Sequence, residues 1–396
     1  MKLKIFLMIF FLITIKSFSQ GNNMNEIVKI ILQVKNHFAK DSRTAIFNIK
    51  SDENEKVLTG ETNLFNAKEK LLEELAKHKI EFKDEVELLP SKKLGDLTFG
   101  VVNLSVANIR SKPDHPAELA TQSLLGTPVK IFKKEAGFYL VQTPDNYIAW
   151  VDDDAIIQMS KSSVNEWIKS KKIIFIKEFG FAYSKPDENS QRISDLVAGN
   201  LLIHLGEENN FFKVKYPDGR IAFVPKNHCK IFTQWLNELH PTQNSIVETA
   251  KLFLGVPYLW GGTSVKGMDC SGFTKTVYFL NGIILQRDAS QQVNDGELVD
   301  TKNGFENLQP GDLLFFGQHA TDSTKERVTH VGIYIGNHEF IHEAGFVKIN
   351  SFDKDKDNFS EYRLKHFIRA RRILTSIDKN GISSIKNHKF YFGEMK

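Results

Sequence analysis

Residues 258–273 read Tyr-Leu-Trp-Gly-Gly-Thr-Ser-Val-Lys-Gly-Met-Asp-Cys-Ser-Gly-Phe. Gly261, Gly262 and Gly267 make the lead flexible, and Phe273, Val277 and Leu280 then recur at helical spacing, so a helix starts at Cys270 with Asp269 as its N-cap. A cysteine there faces unpaired N–H groups and the positive end of the helix dipole, which favour the nucleophilic thiolate. The same N–H groups can hold an oxyanion.

A thiol nucleophile needs a base, and two histidines lie downstream. Thr329 to Ile335 alternates as a strand and Glu339 to His342 returns as another. His330 and His342 share a face only if the loop parity is odd, which a loop of Gly336, Asn337 and His338 satisfies. His330 is then the base, and His342 the group that orients its imidazole. Taken singly, a cysteine is more often a small core residue and a hairpin histidine a surface one. It is the combination with the glycine lead and the strand pattern that points to chemistry.

Upstream lies an internal repeat. Ser111-Lys112-Pro113-Asp114 returns as Ser184-Lys185-Pro186-Asp187, an offset of 73 that also relates Gly126 to Gly199 and Ile148-Ala149-Trp150-Val151 to Ile221-Ala222-Phe223-Val224. Short alternating runs with Asp-Asn and Asp-Gly turns predict two small β-barrels in tandem, spanning residues 96–160 and 161–235. The copies differ where Glu118 meets Gln191 and Tyr147 meets Arg220, so the first is the better candidate to face a substrate.

The ends complete the chain. Lys2 and Lys4, an apolar run from Ile5 to Ile15 and Ser17-Phe18-Ser19 read as a secretory signal over 1–19, with a retained anchor as the alternative. Of the formal charge of +4, three units come from Lys2, Lys4 and Lys16. The mature chain is therefore nearly neutral, which argues against nucleic acid. With 41% hydrophobic and 25% charged residues the chain is an ordinary globular one, and two cysteines exclude a disulfide scaffold. Residues 20–95 read as a small α/β module to which no chemistry is assigned, with a helix over 66–79, and residues 376–396 as a polar tail. Cys229 reads as a structural thiol, no histidine spacing suggests zinc, and Lys365, Arg369, Arg371 and Arg372 read as a solvated strand edge.

Four segments in order, "YLWGGTSVKGMDCSGF", "LQRDASQQ", "LQPGDLLFF" and "THVGIYIGNHEFIHEAG", resemble the NlpC/p60 cysteine peptidases of bacterial cell walls. "NIRSKPD" and "YIAWV" resemble bacterial SH3-type domains. The implied fold class is α+β multidomain: a papain-like NlpC/p60 peptidase domain over 240–375, preceded by two SH3-like β-barrels and the small N-terminal α/β module. The resemblance implies Cys270, His330 and His342 as the catalytic set and Tyr258 beside the oxyanion site, with Asp269 and Ser271 also near the substrate.

Tandem SH3-type domains narrow the resemblance to γ-D-glutamyl-L-diamino acid endopeptidases, which cut muropeptides with a free N-terminal L-alanine. In that subgroup acids bind the substrate ammonium. Asp288 and Glu118 match those acids, and Tyr147 matches the partner aromatic, with Trp150 as rival. The expected partner is a muropeptide or peptidoglycan stem peptide. No metal or organic cofactor, no nucleic acid and no stable membrane anchor after signal cleavage are expected, and the location expected is periplasmic. A broader endopeptidase or amidase acting on the intact wall, and a non-catalytic wall-binding protein, are the alternatives.

Overall fold

The computed structural model describes residues 26–52 and 56–395; the secretory signal expected over 1–19 lies outside them. Among the described residues no helix is long and apolar enough to cross a membrane. The N-terminal module packs helices Glu26–Phe38 and Phe65–Lys77 on a three-stranded sheet. Ile27, Ile30, Ile31 and Val34 fall on one helical face, which buries against Leu58, Leu71 and Leu75.

Two seven-stranded sheets follow, and they have the same strand order. Each strand of the second begins 73 residues after its counterpart: Phe99 and Lys172, Val106 and Phe179, Leu119 and Arg192, Pro128 and Leu201, Phe138 and Phe211, Ile148 and Ile221, Ile156 and Cys229. Helix Lys161–Lys169 joins them and buries Val164, Trp167 and Ile168. Residues 376–396, read from sequence as a polar tail, are instead packed where described. Ser383–Ser384 pairs with Ile283–Ile284, and Ile385, Phe390, Tyr391 and Met395 enter the core that Trp167 and Trp235 share. The short apolar clusters in this segment are too widely spaced to register as a periodic element.

The last module is a six-stranded antiparallel sheet in the order Glu297–Val299, Phe367–Arg372, Leu313–Gln318, Arg327–Gly336, Glu339–Glu343, Val347–Ser351. Helix Cys270–Phe279 lies against it, with Phe273 and Val277 packed among Leu313, Phe315, Val331, Ile333 and Ile341. The arginines near the end are not on a free edge, because their strand has a neighbour on each side. Arg372 pairs with Asp312 at 2.8 Å and Arg369 with Glu326 at 2.5 Å.

The histidine hairpin is built differently from the expected three-residue loop. Gly336 pairs with Glu339, so the turn holds only Asn337 and His338, at φ 51° and 59°. Two residues alone would put the histidines on opposite faces. A register shift between Tyr334 and Gly336 inserts one extra residue and restores the parity. His330 and His342 therefore share a face with Tyr334 and Phe340.

Candidate active site

Asp269 caps the helix that starts at Cys270, accepting the Gly272 N–H at 2.7 Å. Its carboxylate also receives the Gly261 N–H at 2.9 Å, the Ser271 hydroxyl at 3.2 Å, and Arg287 at 3.0 and 2.6 Å. Five donors saturate a carboxylate, so Asp269 anchors the helix start and has no lone pair left for substrate. Arg287, 1% exposed, continues to Thr121 of the first seven-stranded module at 2.9 Å. The glycines are steric necessities: a Cβ on Gly272 would lie 1.9 Å from the Gly262 carbonyl oxygen, and one on Gly261 would lie 2.2 Å from that of Leu119.

The Val331 N–H lies against the Cys270 sulfur, so the thiol sits one strand residue from His330. His330 Nε2 and His342 Nδ1 are 2.8 Å apart, and His342 Nε2 is 2.8 Å from Asn350 Oδ1. Asn350 Nδ2 donates to the Asn358 carbonyl at 2.9 Å. That carbonyl can only accept, which fixes the proton order along the row. Asn350 presents Oδ1, so His342 donates from Nε2 and accepts at Nδ1; His330 then donates from Nε2 and keeps the Nδ1 lone pair free. Asn350 was not anticipated. The signal available was a polar residue inside the strand Val347–Ser351, two beyond Lys348, which pairs with His342.

Electrostatics revise the expected thiolate. Burial pushes the Cys270 thiol up to about 12, with Asp269 adding to the rise and the Val331 N–H, Arg287 and Ser271 N–H offsetting only part of it. His330 is held well below its ordinary value by burial, then by Arg363 and His342, and burial brings His342 to about 3. Both partners are therefore neutral at rest, and the helix terminus does not outweigh desolvation. Glu343, next in chain to His342, is fully buried with both carboxylate oxygens unpartnered, and burial pushes it up to about 8.

A cleft of about 520 Å³ opens over the thiol. Tyr258, Asp269, Cys270 and Ser271 line one part of it; Glu118 and Tyr147 come from the first seven-stranded module, and Asp288 from the last. Trp150 is not among the lining residues and stacks instead beneath Lys133. Glu118 accepts the Trp260 indole N–H at 2.7 Å.

The N-terminal module, to which the sequence assigned no chemistry, also reaches the cleft. Arg43 binds Asp288 at 2.7 Å and Ser290 at 2.9 Å, while Asp41 grips its other guanidinium nitrogens at 2.8 Å. Asp288 is therefore already paired, and Glu118 is the cleft acid that has no ion pair among the described residues. No sequence signal links Arg43 to a residue 245 positions away.

A cysteine at a helix start and a strand-borne histidine row, set in a cleft walled by a β module, define a papain-like cysteine hydrolase. Residues 255–372 match the NlpC/P60 family and residues 109–156 the bacterial dipeptidyl-peptidase SH3 domain. The chain is 33% identical over 235 residues to a γ-D-glutamyl-L-lysine dipeptidyl-peptidase of Bacillus cereus, covering 57% of this chain and 67% of that one. It is 28% identical over 264 residues to dipeptidyl-peptidase 6 of Lysinibacillus sphaericus, covering 64% and 92%. The crystal structure of an NlpC/P60 family protein from Bacillus cereus superposes with a TM-score of 0.59 at 26% identity, covering 70% of this chain and 99% of that one. The chain belongs to the NlpC/P60 family and is a cysteine-type peptidase.

Proposed function

We propose that this enzyme hydrolyses the γ-D-glutamyl to diamino acid bond of cell-wall peptides carrying a free N-terminal L-alanine. It acts outside the cytoplasm, in the periplasm. The observation that carries the reading is that a single cleft is lined by the Cys270 thiol and by two carboxylates, Glu118 and Asp288, from different modules. Relatives named as γ-D-glutamyl-L-lysine dipeptidyl-peptidases support the bond assignment.

As substrate enters, the Cys270 proton passes to His330 Nδ1 and the sulfur attacks the glutamyl carbonyl carbon. The developing oxyanion is held by N–H groups at the helix start, beside Tyr258. Charge on His330 is shared along His342 and Asn350, which accept in turn. His330 then gives its proton to the leaving amine as the C–N bond breaks. Water, deprotonated by the same nitrogen, releases the acyl group and restores the thiol. The substrate ammonium meets Glu118, with Tyr147 and Asp288 alongside. A carboxylate binds a charged ammonium better than a neutral amide, so acylated amines are poor substrates.

The test compares L-Ala-γ-D-Glu-L-Lys with its N-acetyl form and with intact sacculi. Cleavage of the free tripeptide, abolished by Cys270→Ala, is expected. Preferential release from sacculi, or activity retained in Cys270→Ala, would sink the reading.

A further inference from the structure

Arg43 is bound on three sides. Its backbone carbonyl accepts the Ile148 N–H at 2.7 Å, beside Tyr147 of the first seven-stranded module. Its guanidinium spans Asp41 and the Asp288–Ser290 segment, using four of its five N–H groups. Asp41 in turn accepts Gln291 Nε2 at 2.8 Å, so the same short loop of the N-terminal module is tied to both walls of the cleft. Asp41 holds the guanidinium bidentately, and that leaves Nη1 aimed at the cleft carboxylate of Asp288, an arrangement that a loop with only a packing role does not need.

The charges at this end are informative. Asp269 is neutralised by Arg287 at 2.6 Å. Asp41, Arg43 and Asp288 together carry one negative charge, and Glu118 carries another. Without Arg43 the cleft would hold two further acids, Glu118 and Asp288, with no cation among the described residues in ion-pair contact but Arg287, and Asp41 behind them would lose its ion-pair partner. With Arg43, Asp288 Oδ2 is occupied, and Oδ1 lies 4.0 Å from Arg287 Nη1.

We propose that the N-terminal module is the third wall of the cleft and that Arg43 is a positioning residue for substrate selection: it holds Asp288 in place for a free N-terminal ammonium and blocks chains extended beyond that amine. This rests on the ammonium reading of Glu118 and Asp288 given above. The class selected is peptides with a small first residue and a free amine; those with an acylated or extended amine are rejected by bulk and by charge.

The experiment uses the full chain with Arg43→Ala and Arg43→Lys, assayed on L-Ala-γ-D-Glu-L-Lys, its N-acetyl form and a glycine-extended form. Arg43→Ala is expected to raise KM for the free tripeptide about tenfold, with kcat changed less than about threefold, and to shrink the free-to-acetyl kcat/KM ratio at least tenfold. Arg43→Lys should recover part of that ratio. Lys133→Ala, which breaks the 2.9 Å Glu61 contact between the same two modules away from the cleft, should leave the ratio unchanged. If wild-type enzyme shows no preference for the free amine, the ammonium reading itself fails. If the preference exists but survives Arg43→Ala, or is lost equally in Lys133→Ala, the role assigned to Arg43 is refuted alone.

Discussion

Asn350→Ala tests the proton order of the site. The substitution removes the acceptor for His342 Nε2 and leaves a buried donor unpartnered, a loss of about 1–3 kcal/mol. His342 then recovers little from keeping its proton on Nε2 and can carry it on Nδ1. That nitrogen faces His330 Nε2 at 2.8 Å, so His330 must accept there and hold its own proton on Nδ1, which disables the base. If the whole cost falls on this equilibrium, the competent form drops by about fivefold to a hundredfold at about 1.4 kcal/mol per decade. The expected result is a kcat lowered by that factor on L-Ala-γ-D-Glu-L-Lys, with KM within about twofold because Asn350 does not line the cleft. Asn350→Asp keeps an acceptor in place and should retain most of the activity. Thermal unfolding of both variants checks that the fold persists. Equal impairment of the two variants, or an Asn350→Ala kcat within about twofold of wild type, would refute the argument.

Four further outcomes are expected. Glu118→Gln should cost the free tripeptide about 1–3 kcal/mol of binding while hardly changing the N-acetyl peptide; parallel losses would remove Glu118 from ammonium recognition. His330 is depressed by burial and then by Arg363, so the free enzyme loses activity only when acidified well below the ordinary histidine value of 6.5. Arg363→Met should move that acid limb of kcat/KM upward, and an unmoved limb would reject the assignment. Glu343 stays protonated in the folded chain up to about 8 but ionises from about 4.5 once unfolded. Its raised value therefore makes stability fall between those limits, and Glu343→Gln should be more stable above pH 8 by about 1–3 kcal/mol and unchanged below 4.5; parallel pH curves in thermal unfolding would contradict this. Gly261→Ala places a Cβ 2.2 Å from the Leu119 carbonyl oxygen at φ +80°, and a stability loss of about 1–3 kcal/mol or more is expected by denaturant titration; an unchanged midpoint would show that the interface yields.

Local physics made much of the site readable in advance. The cysteine helix was legible because its N-cap, glycine lead and apolar period lie within about four turns of chain, and Asp269 does accept the Gly272 N–H. The tandem repeat was legible because an offset of 73 in turn and strand residues survives as an offset of 73 in every strand start. The face shared by the two histidines followed from the two-residue strand period, yet the device that secures it did not. A bulge beside a two-residue turn and a three-residue loop give the same parity, and only the paired strand distinguishes them.

What the sequence by itself determined is therefore what neighbours in the chain decide: the helix start at Cys270, the alternation around His330 and His342, the repeat, and the family motifs. Tertiary structure alone decided which distant groups meet. It set Asn350 behind His342, saturated Asp269 with Arg287 and the helix-start donors, packed the last residues between modules, and carried Arg43 across 245 positions to Asp288. It also set burial against the helix terminus at Cys270, because the terminus is written in the local sequence whereas the burial that raises the thiol to about 12 exists only once its helix packs into the core of the last module.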